Sequence, residues 1–223
     1  ELSKDIPTHS NVDGKKVVFI GWTETQMNKI FGREATAPGT VTEVTFGSEN
    51  KKVYAAWGYD ENNNGTADVL ETYTLTYDLN GGSGDAPAKV TGVAKNTEIT
   101  LTAEKNFTRN SNEVFVGWSV TKHEAALTAE TKQEDLEKFL IAPGAKYRIQ
   151  TKDVTLYAVW AADRNGNNTA DYLEKHKLTY NGNAQQGGTV STVPTDNNIY
   201  IPGDKAELSK DIPTHSNVDG KKV

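Results

Sequence analysis

The chain has 223 residues, a net charge of −6, 35% hydrophobic residues, 19 glycines and no cysteine. The acidic balance, with no run of five basic residues, excludes nucleic acid and an anionic membrane surface as main partners, since both demand a basic face. The missing cysteines exclude disulfide scaffolds, thiolate metal sites and cysteine nucleophiles, and the low apolar content with many glycines points to several small β-rich modules.

Read from the start, the first seventeen residues, ELSKDIPTHSNVDGKKV, return unchanged as residues 207–223 and set a period of 206 residues. A weaker repeat lies inside that period. VFIGW ending at Trp22 matches VFVGW ending at Trp118, and VYAAW ending at Trp57 matches LYAVW ending at Trp160. GTAD at 65–68 matches NTAD at 168–171, and LTY at 75–77 matches LTY at 178–180, both displaced by 103 positions. One period therefore holds two diverged modules. Module A runs whole over 73–160; module B is divided, its C-terminal part at 1–57 and its N-terminal part at 176–223. Two short stretches, 58–72 and 161–175, act as linkers.

The local patterns place elements along this frame. KVVFIGW (16–22) and KKVYAAW (51–57) read as strands, as do YTLTYDL (73–79), EVFVGW (113–118) and DVTLYAVW (153–160). TKQEDLEKFL predicts one short helix, with Thr131 as N-cap, Glu134 three residues later, Leu136, Phe139 and Leu140 on one stripe, and Pro143-Gly144 as the stop. TETQMNKIF (23–31) predicts its counterpart, with Met27, Ile30 and Phe31 on the stripe. A few strands with one covering helix give the expected fold class, α+β. Trp22, Trp57, Trp118 and Trp160 read as core residues that end each strand, with a sugar-stacking platform as the alternative.

The linkers carry the chemistry. DENNNGTADVLE (60–71) and DRNGNNTADYLE (163–174) place oxygen-bearing side chains at the spacing of a twelve-residue calcium loop: positions 1, 3, 5, 7, 9 and 12, with glycine at 6. In the first copy these are Asp60, Asn62, Asn64, Thr66 through its carbonyl, Asp68 and Glu71, with Gly65 at the sharp turn. In the second they are Asp163, Asn165, Asn167, Thr169, Asp171 and Glu174, with Asn168 replacing the glycine. Asparagine is the side chain that best tolerates the left-handed backbone needed there. A solvated Asn/Gly linker needs neither the aspartate at position 9 nor the glutamate at position 12, so the expectation is Ca²⁺ at two sites.

The order YTLTYDLNGG, VFVGW, VTLYAVW resembles the Listeria-Bacteroides repeat, the internalin B-repeat, across module A and, in two pieces, module B. Module B departs from it in LTYNGNAQQGG, which lacks the clean Asn-Gly-Gly turn. The calcium stretches resemble the loops of dockerins or thrombospondin type-3 repeats more than paired sensor EF-hands. The resemblance implies tandem small β-grasp-like modules in a bacterial tandem-repeat protein, extracellular and on the cell surface. The expected function is a structural stalk whose linkers calcium stiffens; the alternative is an adhesive module for a host glycan or protein. The expected partners are neighbouring copies of the same repeat, joined by head-to-tail complementation of the divided module B, and a host surface ligand; nucleic acid and membrane insertion are not expected. No enzyme is expected: the histidines are His9, His123, His176 and His215, no Gly-x-Ser-x-Gly elbow occurs, and targeting segments are expected outside this stretch.

Overall fold

A computed structural model describes residues 5–103 and 105–222. Strands form where β-branched and aromatic residues cluster: β1 (Val17–Thr23), β2 (Tyr54–Tyr59), β3 (Thr72–Asp78), β4 (Ser83–Gly84), β5 (Val90–Ala94), β6 (Glu98–Thr100), β7 (Phe107–Thr108), β8 (Glu113–Ser119), β9 (Lys146–Arg148) and β10 (Val154–Ala162). Residues up to Thr74, with Val90–Glu98 and Arg148–Asp153, make one compact unit; Leu75–Lys89, Ile99–Tyr147 and the residues from Val154 onward make the other.

The core of the second unit is built on β10. One edge of β10 pairs antiparallel with β8, from Tyr157↔Ser119 to Ala162↔Glu113. Its other edge pairs parallel with β3, from Val154↔Leu75 to Tyr157↔Asp78. Because β10 has neighbours on both sides, the sheet's core is sealed: Leu156 and Trp160 of β10, Leu75 of β3 and Trp118 of β8 are at most 1% exposed. Tyr77 lies 4.7 Å from Trp118, and Phe107 and Phe115 fill the space between the two indoles. The Trp160 Nε1–H donates to the Leu79 carbonyl at 3.0 Å, so the turn after β3 satisfies the polar end of the buried ring.

In the first unit β1 and β2 form a hairpin of the same design. Thr23↔Tyr54, Trp22↔Ala55 and Phe19↔Trp57 repeat the pairing of Ser119, Trp118 and Phe115, with a register shift at the same place. Both hairpins also hold the same two single bridges, Trp22↔Val41 and Phe31↔Gly58 here, Trp118↔Ile141 and Leu127↔Ala161 there. The difference lies at the far edge. Residues 51–53, the counterparts of Val154–Leu156, form no strand. Phe19, Trp22 and Trp57 stay partly exposed where Phe115, Trp118 and Trp160 are buried.

The expected α+β class, with a covering helix on a β-grasp-like sheet, is incorrect: the regular structure among the described residues is mainly strand, 29% against 5% helix, in several small sheets, with no helix of seven or more residues. Where TKQEDLEKFL predicted a helix, only one turn forms, α1 (Gln133–Leu136). Its N-cap is Lys132, and the Thr131 hydroxyl instead accepts from the Thr128 N–H. Ile141 exchanges both backbone hydrogen bonds with Trp118, which fixes an extended backbone five residues after α1. A segment this short cannot hold helix on propensity alone once its end is claimed by a strand. At 23–31 no helix forms: Thr23 closes β1, and Phe31 hydrogen-bonds to Trp57 and Tyr59 of β2.

Candidate cation-binding loops

Each loop begins on the last residues of a hairpin. Asp60 follows β2 and its N–H donates to the Lys16 carbonyl; Asp163 follows β10 and its N–H donates to the Asn112 carbonyl. From there the two loops build the same ladder. The Asp60 carboxylate accepts the N–H groups of Asn64 and Gly65, each at 3.0 Å, as Asp163 accepts those of Asn167 and Asn168 at 3.1 and 2.9 Å. The Asn62 amide oxygen accepts the Asn64 N–H, and that of Asn64 accepts the Thr66 N–H; Asn165, Asn167 and Thr169 repeat this. The turn needs left-handed backbone twice, at Asn63 and Gly65 in one loop and at Gly166 and Asn168 in the other. Asparagine and glycine thus exchange places between loops, and Asn168 adopts φ 64°.

The ends of each loop close on its start. The Asn62 and Asn64 amides donate to Glu71 Oε1 at 2.6 and 3.1 Å. The Asn167 and Asn165 amides reach the Glu174 carboxylate at 2.7 and 3.4 Å. A single 3-10 turn near the end of each loop, Asp68–Leu70 and Asp171–Leu173, carries the position-9 aspartate inward. Asp60, Asp68, Asp163 and Asp171 are all buried. In both copies, then, the side chains at positions 3, 5 and 12 meet, while the position-1 aspartate caps the loop's own N–H groups and the position-9 aspartate accepts the N–H of position 2. Thr66 and Thr169 join through their N–H groups alone. The acidic side chains by themselves form no metal-ligating cluster of three among the described residues; the convergence runs through the asparagine amides.

Basic side chains that sequence spacing did not single out complete the electrostatics. Lys16 lies 2.7 Å from Asp60, and Arg33 lies 3.1 Å from Asp68 and 2.8 Å from Glu71. In the second loop Arg164 pairs with Asp171 at 2.8 Å and with Asp204 at 3.3 Å. Arg164 is visible in the sequence at loop position 2, but Lys16 arrives from the residue just before β1 and Arg33 from the stretch after Phe31, both distant along the chain, and no spacing rule marks them. Burial pushes the Asp68 carboxyl up, and the Arg33 guanidinium only partly reverses this. Burial also acts on Asp60, but hydrogen bonds from Lys16, Gly65 and Asn64 outweigh it and hold its carboxyl below the usual range.

One observation tests whether these residues fit a hard cation. Asp68 Oδ2 is buried and has no hydrogen-bond partner, while Oδ1 of the same carboxylate is held by Arg33 and the Glu61 N–H. A buried carboxylate oxygen without a partner is costly. Oxygen donors drawn from carboxylates and amides suit calcium rather than a soft metal. The residues fit.

No family model matches the chain, and no solved structure matches it. Among curated proteins it is similar to a protein of Evansella cellulosilytica described as "Putative membrane protein", with 27% identity over 146 residues, which is 65% of this chain and 17% of that protein. The chain thus spans less than a fifth of that relative's length. Among the described residues no helix is long and apolar enough to cross a membrane.

Proposed function

We propose that the chain is a segment of an extracellular bacterial stalk, built of tandem small β modules whose linking loops, 60–71 and 163–174, bind calcium and stiffen the connection. The observation that carries the reading is the duplicated loop: two stretches 103 positions apart build one hydrogen-bond ladder. In one of them a buried aspartate oxygen has no protein partner. When bound, the ion would supply the positive charge that lets three carboxylates share one small volume. Asp60, Asn62, Asn64, Asp68 and Glu71, with the Thr66 carbonyl, would hold it in the first loop. Asp163, Asn165, Asn167, Asp171 and Glu174, with the Thr169 carbonyl, would do so in the second. Without it, Lys16 and Arg33 in the first loop and Arg164 in the second offset part of the negative charge, and the asparagine amides order the rest. The unchanged return of residues 1–17 at 207–223 and the two diverged modules between them support a repeat stalk, in which copy number sets reach without a ligand site in each unit.

The test is calorimetric titration of calcium into the chain, with small-angle scattering alongside. The expectation is two sites of the weak extracellular class, with dissociation constants on the order of 10⁻⁴ M, and poor competition by magnesium. Glu71→Gln removes heat from one site, Glu174→Gln from the other. A chain that gives no calcium heat at millimolar metal refutes the reading.

A further inference from the structure

The two loops share one backbone ladder but not one set of neighbours. The Asp60 N–H donates to the Lys16 carbonyl where the Asp163 N–H donates to the Asn112 carbonyl, so Lys16 and Asn112 hold the same place. Phe31 exchanges backbone hydrogen bonds with Trp57 and Tyr59 as Leu127 does with Trp160 and Ala162, so Arg33 and Ala129, two residues further on, also correspond. At both places the first loop has a basic side chain and the second has a neutral one. Lys16 Nζ lies 2.7 Å from Asp60 Oδ2. The Arg33 guanidinium spans loop positions 9 and 12, 3.1 Å from Asp68 Oδ1 and 2.8 Å from Glu71 Oε2, and it also donates to the Tyr73 hydroxyl, which in turn donates to the same Glu71 oxygen.

The second loop is neutralised differently. Its Arg164 pairs with Asp171 and reaches on to Asp204, and this side chain is half-exposed where that of Arg33 is mostly enclosed. Among the described residues no basic side chain pairs with Asp163 or Glu174; Glu174 is left to the Asn165 and Asn167 amides.

We infer that Lys16 and Arg33 are tethered counter-ions that compete with calcium for the first loop, so that the second loop binds calcium more tightly and fills first. The inference rests on the calcium reading and sets the order of its two sites. A position-12 glutamate serves calcium with both of its oxygens. In the first loop both are engaged, Oε1 by the Asn62 and Asn64 amides and Oε2 by Arg33 and Tyr73. An asparagine that lets go of Glu71 still has an oxygen to offer the ion, whereas a guanidinium has only donors and is repelled by a divalent cation beside it. Calcium must therefore drive Arg33 from Asp68 and Glu71 together, and Lys16 from Asp60. In the second loop it has to loosen only Arg164 from position 9, a place that calcium often reaches through water, and Arg164 keeps Asp204 when it lets go. Arg33 is an incomplete substitute for the ion, because it covers Asp68 Oδ1 and leaves Oδ2 buried without a partner. The first loop is thus the weaker site, held closed by its own cations at low calcium, and the two joints of the stalk stiffen in succession as calcium rises.

The experiment is calorimetric titration of calcium into the whole chain carrying Glu71→Gln, which reads the second loop, and into the chain carrying Glu174→Gln, which reads the first. The expected result is a dissociation constant about tenfold or more lower for the second loop. Added to Glu174→Gln, Arg33→Gln tightens calcium by about tenfold and at the same time lowers the melting temperature of the metal-free chain. A side chain that only supports the fold would lose both when replaced; a competitor moves them in opposite directions. Lys16→Gln, whose backbone carbonyl still receives the Asp60 N–H, repeats the comparison if Arg33→Gln folds poorly. Two sites of equal affinity, a first loop that fills first, or a counter-ion variant that binds calcium no more tightly overturns the inference and leaves calcium binding standing. The absence of any calcium heat overturns the calcium reading itself, and this inference with it.

Discussion

Leu75 and Leu178 are the same residue at the same module position, and truncating each to alanine measures what enclosure in a sheet contributes. Leu75 is fully buried in β3, which pairs along β10. Removing three buried carbons costs about 2.4 kcal/mol at roughly 0.8 kcal/mol per group, and the residual cavity brings Leu75→Ala to about 3–4 kcal/mol. Leu178 is partly exposed and in no strand, so Leu178→Ala costs under about 1 kcal/mol. The assay is urea unfolding followed by tryptophan fluorescence at low protein concentration. With a slope of about 1–3 kcal/mol per molar, Leu75→Ala lowers the midpoint of the transition that reports Trp118 and Trp160 by about 1 M or more, while Leu178→Ala moves it little. Equal shifts for the two variants would mean that burial by β3 is not what separates the modules, and the reasoning from module A to module B would fall with it.

Gly117→Ala is expected to cost about 2 kcal/mol or more, because a Cβ there would lie 2.6 Å from the Ile141 carbonyl oxygen; Gly21→Ala, whose Cβ would lie 2.6 Å from Thr40 Cγ2 and 2.9 Å from Thr40 Cβ, is also destabilising in the same chemical-denaturation assay, since turning the threonine side chain does not move its Cβ. Glu113 is held below the usual carboxylate range chiefly by its hydrogen bond to Arg109, so this pair stabilises module A above the unfolded glutamate value near 4.3 and ceases to do so as pH falls through the lower folded value. Thermal melts from pH 7 to pH 3 are expected to show Glu113→Gln less stable by about 1–2 kcal/mol at neutral pH, with the difference shrinking in acid. Asn168→Ala costs about 1 kcal/mol at its left-handed position, whereas Asn168→Gly stays within a few tenths; equal losses in thermal melts would contradict the φ of 64°.

The strands were legible because their residues carry their own preference. VVFIGW, EVFVGW and VTLYAVW concentrate β-branched and aromatic side chains, and each is a strand. The loops were legible because twelve consecutive residues contain the whole ladder. Asp60 to Glu71 can organise themselves through side chain to backbone contacts two to five residues apart, and no distant segment has to be known. The helix at 131–140 was misread because its periodic stripe is a local argument, while Ile141 is committed to Trp118 by a pairing that spans more than twenty residues. Lys16 and Arg33 were invisible for the same reason: the sheet brings them to the first loop from 44 and more than 30 positions away.

The duplicated seventeen residues separate the two kinds of information within one chain. In both copies Asp-Gly sits at left-handed backbone, Asp13 and Gly14 in the first, Asp219 and Gly220 in the second, and both copies close the same turn between valine and lysine. That turn is set by the sequence itself, since its four residues satisfy their own hydrogen bonds and need only the φ values that aspartate and glycine permit. The histidine four residues before the aspartate also keeps one local contact in both copies, its Nδ1 against the next serine's carbonyl, but its distant partner differs. It packs on an indole in one copy and bridges to Val190 in the other, because the contact free energy available to it lies in whatever surface the tertiary structure delivers. The same holds for the tryptophans: their place at the end of each strand was written in the sequence, but whether they are buried, as Trp118 and Trp160 are, or partly exposed, as Trp22 and Trp57 are, depends on whether a third strand is present to cover them.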